Sequence, residues 1–192
     1  MKIRIALVLV LALSAAAYAQ TEDLGMGAFA NEHGAILIVV DAAMADLMLD
    51  NPYVMFVAYM AAKDQNQGMV VDRNDVAMVY KGQEYNLPTI KELRENYRGG
   101  IHDLDFYRHL GKEGIVASWA RFYNFTQRAD FFPTLNLDSS LPVERGSMSG
   151  FMGFRTNLYF KNPGFKKGDK LTIKVRDKKN PQLTGEVEVT IE

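Results

Sequence analysis

Apolar and polar positions change period several times along this chain, and most of those changes describe strands. Ala35 to Val40 is a β-branched apolar run that ends at Asp41, and Tyr53 to Ala62 (YVMFVAYMAA) is a longer run that mixes aromatic with β-branched residues. Continuous runs of this kind predict buried strands, and the second is the strongest core candidate. Asp50-Asn51-Pro52 and the stretch Asp64 to Gly68 are the turns around it. Met69 to Arg73 and Asp75 to Lys81 predict two short strands about Asn74, with Lys81-Gly82 as a tight hairpin turn back through Gln83 to Asn86. Phe151 to Phe160 (FMGFRTNLYF) reads as another strand, and Gly150 and Gly153 mark a bulge or close packing at its entry. The last two strands are the clearest. Lys170, Thr172, Lys174 and Arg176 alternate with Leu171, Ile173 and Val175, and Glu186, Glu188, Thr190 and Glu192 alternate with Val187, Val189 and Ile191. A period of two predicts a terminal hairpin, wet on one face, with cross-strand ion pairs of about 0.2–1 kcal/mol each.

Elsewhere the period lengthens. Ala42 to Leu49 fits a strand or a helical turn, since Ala, Met and Leu favour helix. Thr89 followed by Glu92 is a capping box, which predicts a helix through about Tyr97, stopped by Gly99-Gly100. Asp103 to Leu110 predicts a second short helix. Gly114 to Phe125 (GIVASWARFYNF) reads as a return to strand, with Trp119, Arg121 and Tyr123 on one face. Arg128 to Arg145 reads as an irregular surface loop that packs a few aromatics, Phe131 and Phe132 among them. The pattern as a whole predicts a mainly β fold, an antiparallel sandwich with one or two short helices inserted around residues 88–111.

The N-terminus has a different character. Lys2 and Arg4 precede the apolar run Ile5 to Leu13, and Ala17-Tyr18-Ala19 places small residues where a signal peptidase needs them. The run is shorter than the about 20 residues of a membrane span. Residues 1–19 are therefore expected to be a signal peptide cleaved before Gln20, and the mature chain to be periplasmic or extracellular. Residues 20–33, small, polar and Gly/Ala-rich, are expected to be a flexible lead-in, and residues 34–192 a single domain. No later run reaches spanning length, so no transmembrane segment is expected in the mature chain.

Composition narrows the chemistry. The chain has no cysteine, so disulfides, a thiol nucleophile and Cys-based metal or cluster sites are excluded. With 22 Lys and Arg against 23 Asp and Glu, no basic excess points to nucleic acid. The charge is nevertheless polarised. Gln20 to Ala62 carries acids and no Lys or Arg, whereas Lys161 to Lys179 carries eight bases and two acids.

Phe165-Lys166-Lys167-Gly168-Asp169, followed by the alternating strand Lys170 to Val175, has the form of an aromatic, a polar gap, Gly-Asp and a half-buried strand. It resembles the closing hairpin of immunoglobulin-like β-sandwich domains of secreted bacterial proteins. The likeness covers about the last thirty residues. It implies an immunoglobulin-like version of the sandwich and carries over no functional residue.

Three residue groups are candidates for function. His102, Asp105 and His109 form the densest cluster of metal-ligating side chains; Asp105 and His109 are one helical turn apart, while His102 and His109 lie about 10 Å apart along a helix. Lys166, Lys167, Lys170, Lys174 and Arg176 would give the terminal hairpin a basic face for a protein partner or an anionic surface. Trp119, Arg121 and Tyr123 would form an aromatic platform around a cation, suited to a sugar or a peptide. Methionines concentrated in the first half suggest soft-metal ligands or core filling. Asn124-Phe125-Thr126 is a glycosylation sequon. No serine lies in a nucleophile elbow and no glycine pattern fits a phosphate loop. No catalytic residue or cofactor is therefore assigned, and the expected function is a secreted, non-enzymatic binding or structural domain. The alternatives are a metal-binding periplasmic protein and a partner-binding module.

The leader makes the first prediction. When the full chain is expressed in an exporting bacterial host, Edman sequencing of the product is expected to start at Gln20. A product starting at Met1 contradicts it.

Overall fold

The computed structural model describes residues 21–97, 100–110, 113–132 and 141–192. The leader and its cleavage site lie outside the described residues. Among the described residues the chain is mainly β. Twelve strands run β1 (Glu22–Gly25), β2 (Ala28–Asn31), β3 (Ile36–Asp41), β4 (Tyr53–Ala62), β5 (Met69–Asp72), β6 (Val76–Tyr80), β7 (Gln83–Asn86), β8 (Asn124–Arg128), β9 (Arg145–Met148), β10 (Met152–Lys161), β11 (Lys170–Arg176) and β12 (Thr184–Thr190). The short helices are α1 (Ala43–Leu47), α2 (Ile90–Asn96), α3 (Gly100–His109) and α4 (Glu113–Trp119). Among the described residues no helix is long and apolar enough to cross a membrane.

The strands form a six-stranded sheet of order β1-β2-β3-β4-β10-β8, a four-stranded sheet of order β12-β11-β6-β7, and the pair β5-β9. β1 to β4 pair in succession as an antiparallel meander, and β10 adds antiparallel to β4. β8 then joins β10 in parallel at the sheet's edge.

Every residue of β3 and of β4 is buried. A strand with one wet face alternates, whereas one covered on both faces reads as an unbroken apolar run. The register separates the two faces. On one, Val54, Phe56, Ala58 and Met60 align with Phe160, Leu158, Thr156 and Phe154 of β10. On this side Phe131 packs against Phe154 at 6.2 Å between ring centroids, and β12 lies close over β3. On the other face, Tyr53, Met55, Val57 and Tyr59 align with Lys161, Tyr159, Asn157 and Arg155. Here the helical segment lies on the sheet, with the Tyr97 ring 5.9 Å from Tyr53 and 6.1 Å from Tyr159. Phe132 turns to this same side, edge-on to Tyr159. The segment holding Phe131 and Phe132 thus wraps the sheet and seals both faces.

Many expectations match local structure. Thr89 caps α2, its Oγ1 accepting the Glu92 amide at 3.1 Å. The β6–β7 turn is Lys81-Gly82 with both φ positive, the mirror-image turn that suits strand twist. The terminal hairpin pairs Lys170 through Arg176 with Thr190 through Thr184 and buries Leu171, Ile173, Val175, Val187 and Val189. Ala43–Leu47 resolves as helix, with Met44 and Met48 both buried.

Two expectations are corrected. Of the expected lead-in 20–33, the described residues 21–33 are not loose, for β1 and β2 form a hairpin, and β2 is buried, its Ala28–Asn31 pairing with Asp41–Ile38 of β3. Small residues such as Ala28 and Ala30 were suited to a tightly covered strand as well as to a loop. Gly114 to Phe125 is not one strand. It divides into α4 and the start of β8. Val116 and Ala120 are both buried, four residues apart, so the burial follows the helical period.

Glycine decides how closely the sheets approach. A Cβ on Gly185 would lie 2.2 Å from the Ile36 carbonyl oxygen and 3.0 Å from the Ile36 Cβ. Backbone stands on backbone there, so neither side can give way. Gly185→Val is expected to destabilise the protein by about 2–3 kcal/mol or more, measured by urea denaturation. Lys170→Ala, which removes only an exposed ion pair, is expected to change stability by less than about 1 kcal/mol.

Candidate functional site

The helical cover meets the six-stranded sheet through hydroxyl and carboxyl groups. Tyr97 donates to both oxygens of Asp103, at 3.0 and 2.9 Å, and Tyr159 donates to Oδ2 at 3.2 Å. Tyr107 of α3 donates to Asp41 Oδ2 of β3 at 3.0 Å, and Tyr59 meets the Tyr107 hydroxyl at 3.3 Å. Tyr53 donates to Glu92 of α2 at 3.1 Å. Aromatic rings fill the apolar space between layers while each hydroxyl finds an acceptor, as burial requires. Burial pushes the Asp103 carboxyl above its ordinary value, although the two tyrosine hydroxyls and His102 pull the other way. Burial, then the neighbouring carboxylates, push the Tyr97 and Tyr107 hydroxyls far up, so both remain protonated donors.

Beyond this layer, towards the β8 edge, the cover stops and a cleft of about 550 Å³ opens. Tyr59 of β4 and Arg155 of β10 stand directly opposite each other in the ladder and point to the helical side. Val116 of α4 closes one side, Arg121 and Tyr123 enter from the segment that leads into β8, and Phe125 from β8 itself. The Phe125 ring is edge-on to Tyr59 at 5.5 Å and stands 6.2 Å from the Tyr123 ring. Phe125 is set by Gly153, where an added Cβ would fall 2.5 Å from the ring and 2.5 Å from the Met60 carbonyl oxygen. The β8–β10 register slips at this point, between Met152 and Phe154. The Arg121 guanidinium lies 5.0 Å from the Phe122 ring centroid, within cation–π range. Burial, then the Glu32 carboxylate, raises the Tyr123 hydroxyl.

The residues expected to be functional fare differently. Arg121 and Tyr123 do come together in this cleft, but Trp119 does not share their face. It ends α4, and its indole N–H donates to Glu22 of β1 at 2.8 Å, tying the helical cover to the first strand. Tyr59 and Arg155 were missed. The available signal was Arg155, the one charged residue in the run Phe151 to Phe160.

His102 and Asp105 lie exposed on α3, and Asp105 pairs with Arg108 at 3.2 Å. The side chain of His109 lies outside the described residues. Among the described residues no three His, Cys, Asp or Glu side chains are grouped to hold a metal ion. On the terminal hairpin each strand cation has an acid. Lys170 reaches Glu188 at 2.8 Å, Lys174 reaches Glu186 at 3.9 Å and Arg176 reaches Asp75 at 2.9 Å. Lys166 and Lys167 are exposed in the preceding turn. A neighbouring cluster is tighter: burial would raise Asp72, but the Lys178 ammonium at 2.6 Å and the Asn74 amide outweigh it and hold its carboxyl below the ordinary value.

No protein-family model, curated protein or solved structure matches the chain.

Asp103 yields a prediction on pH. Its carboxyl pKa is higher folded than unfolded. The folded state therefore holds a proton that the unfolded state has already released, and the stability this contributes is lost as pH rises through the folded value. Asp103→Asn keeps a neutral group in place. Relative to wild type, the variant is expected to gain stability as pH rises from the unfolded carboxyl value through the raised folded one, and to show a constant difference above it, read as urea midpoints across a pH series. A difference independent of pH contradicts the assignment.

Proposed function

We propose that this is an exported, non-enzymatic binding domain whose ligand site is the cleft between α4, β8 and β10. The observation that carries the reading is the convergence of Arg121 and Arg155, from separate elements, on a site walled by Tyr59, Tyr123 and Phe125. Aromatic walls with a few placed polar groups are the usual composition of small-molecule sites, and the volume falls within their range of about 300–1,000 Å³. A binding role is favoured over catalysis because the described residues that line this cleft include no carboxylate and no imidazole to move a proton.

Export is supported by the leader pattern of Lys2, Arg4, the Ile5–Leu13 run and Ala17-Tyr18-Ala19, and fits a chain without cysteine that is stabilised by burial. We read the architecture as a sandwich of the six- and four-stranded sheets. The close approach of β12 to β3 at Gly185 supports that reading. For the immunoglobulin-like version the support is the terminal hairpin; the β1–β4 meander and the parallel β8–β10 pair add none.

The test is an amide NMR titration of the mature chain with separate probes: benzoate, galacturonate, N-acetylglucosamine and glycerol phosphate. At least one anionic probe is expected to shift resonances around Arg121, Asn124, Thr126 and Arg155. Those shifts are expected to vanish in an Arg121→Gln, Arg155→Gln double variant whose remaining spectrum is unchanged. Shifts that persist in the double variant, or no shifts there with any probe, overturn the proposal.

A further inference from the structure

We infer that the cleft takes an uncharged glycan chain, held by ring stacking and hydroxyl contacts and not by charge, and this rests on the cleft being the binding site. The first argument is charge balance. Arg155 lines the cleft but is already engaged within the protein. The Glu32 carboxylate, just past β2, acts on the Tyr123 hydroxyl. With both signs of charge at the site, neither an anion nor a cation is singled out. A guanidinium has five N–H donors, so one that is engaged keeps others for a ligand hydroxyl.

The second argument is shape. Tyr123 and Phe125 are two residues apart, their ring planes are tilted by only 30°, and their centroids stand 6.2 Å apart. Side by side they offer a wall for the apolar C–H face of a sugar ring, whose hydroxyls point away from it. The wall is held in place. Phe125 is edge-on to Tyr59 and set by the space left at Gly153, and Tyr59 is fixed through Tyr107 to Asp41. A surface ordered before the ligand arrives loses less on binding.

The third argument is the polar complement. Asn124 and Thr126 of β8 also line the cleft. The Asn124 Oδ1 accepts the Thr126 amide at 2.9 Å. That bond leaves the Asn124 NH₂ as a donor, and the Thr126 hydroxyl both donates and accepts. Sugar hydroxyls need this mixture, whereas an apolar ligand leaves it unmatched.

The fourth argument is length. Phe122 and Phe151 are 68% and 54% exposed. The Phe122 ring lies 5.0 Å from the Arg121 guanidinium, and the Phe151 carbonyl accepts the Asn124 amide at 2.7 Å. Both therefore stand next to residues of the cleft. Large apolar side chains grouped in water mark a surface that something covers. One sugar ring fills the wall of Tyr123 and Phe125; further rings of the same chain cover Phe122 and Phe151.

The experiment is isothermal titration calorimetry of the mature chain with cellotetraose, mannotetraose and chitotetraose, each beside its disaccharide, and with tetragalacturonate, benzoate and oligoproline. At least one uncharged tetrasaccharide is expected to bind, its affinity unmoved by added salt, with its disaccharide weaker by about tenfold. Tetragalacturonate, a like ring with a charge added, is expected to bind no more tightly. Tyr123→Ala is expected to weaken both sugar lengths by about tenfold. A Phe122→Ala, Phe151→Ala variant is expected to weaken the tetrasaccharide by about tenfold and to leave the disaccharide as in wild type. Circular dichroism checks that each variant folds. If tetragalacturonate outbinds every uncharged sugar, or if benzoate or oligoproline binds in an arginine-dependent way and no sugar does, the glycan inference is overturned while the binding-site reading stands. Equal affinity for tetrasaccharide and disaccharide, or indifference to loss of Phe122 and Phe151, overturns the chain. Sugar binding that survives both Tyr123→Ala and the Arg121→Gln, Arg155→Gln double variant lies elsewhere and overturns both. Failure of every probe also overturns both.

Discussion

The structure depends on one constraint: the six-stranded sheet has two apolar faces and both must be covered. β4 and β3 carry apolar or aromatic residues at nearly every position, so neither face can be left in water. Fully burying a side chain such as Val, Leu or Phe stabilises by about 1.5–3 kcal/mol relative to exposure, and a ten-residue strand buried on both sides multiplies that drive. On one face, β12 of the four-stranded sheet comes within backbone contact of β3 at Gly185. The inserted helices take the other. Even the segment through Phe131 and Phe132 serves the constraint, placing one ring on each side of the sheet.

The two covers differ in chemistry. At Gly185 the backbone of β12 meets the Ile36 carbonyl of β3 directly. The helical cover meets the sheet through tyrosines whose hydroxyls end on Asp41, Glu92 and Asp103. Directional bonds of this sort fix where short helices sit when their own apolar stripes are narrow, as on α3. They also determine where the cover ends. With Tyr107 held to Asp41 and Trp119 to Glu22, the helices cannot slide towards β8, so Arg155 and Tyr59 are left beside open space. The cleft is therefore a consequence of how the cover is anchored.

Strand positions were legible wherever burial was one-sided or continuous. The terminal hairpin, β4, β6 and β10 could be placed from side-chain period alone, and Thr89 and Glu92 announced α2. What failed had a physical reason. Ala28-Phe29-Ala30 is too small and too short to show a period, so a buried strand looked like a loop. Gly114 to Phe125 contains a helix and a strand joined without a breaker, and its aromatic content imitated one strand. Arg121 and Tyr123 could be singled out because they sit close in sequence. Arg155 and Tyr59 could not, because the β4–β10 ladder that brings them together spans roughly a hundred residues of chain.

That same ladder shapes how the molecule comes into being. β1 to β4 assemble from segments that follow one another in the chain, with α1 in the β3–β4 link, whereas the far edge of β4 finds its partner only when β10 arrives. Closing so distant a contact carries an entropy penalty before any burial rewards it, which slows folding. In the interval β4 presents an unpaired apolar edge, a template for pairing with another nascent copy. A chain built in this way is exposed to mispairing during its synthesis, a hazard set by topology and independent of what the finished cleft binds.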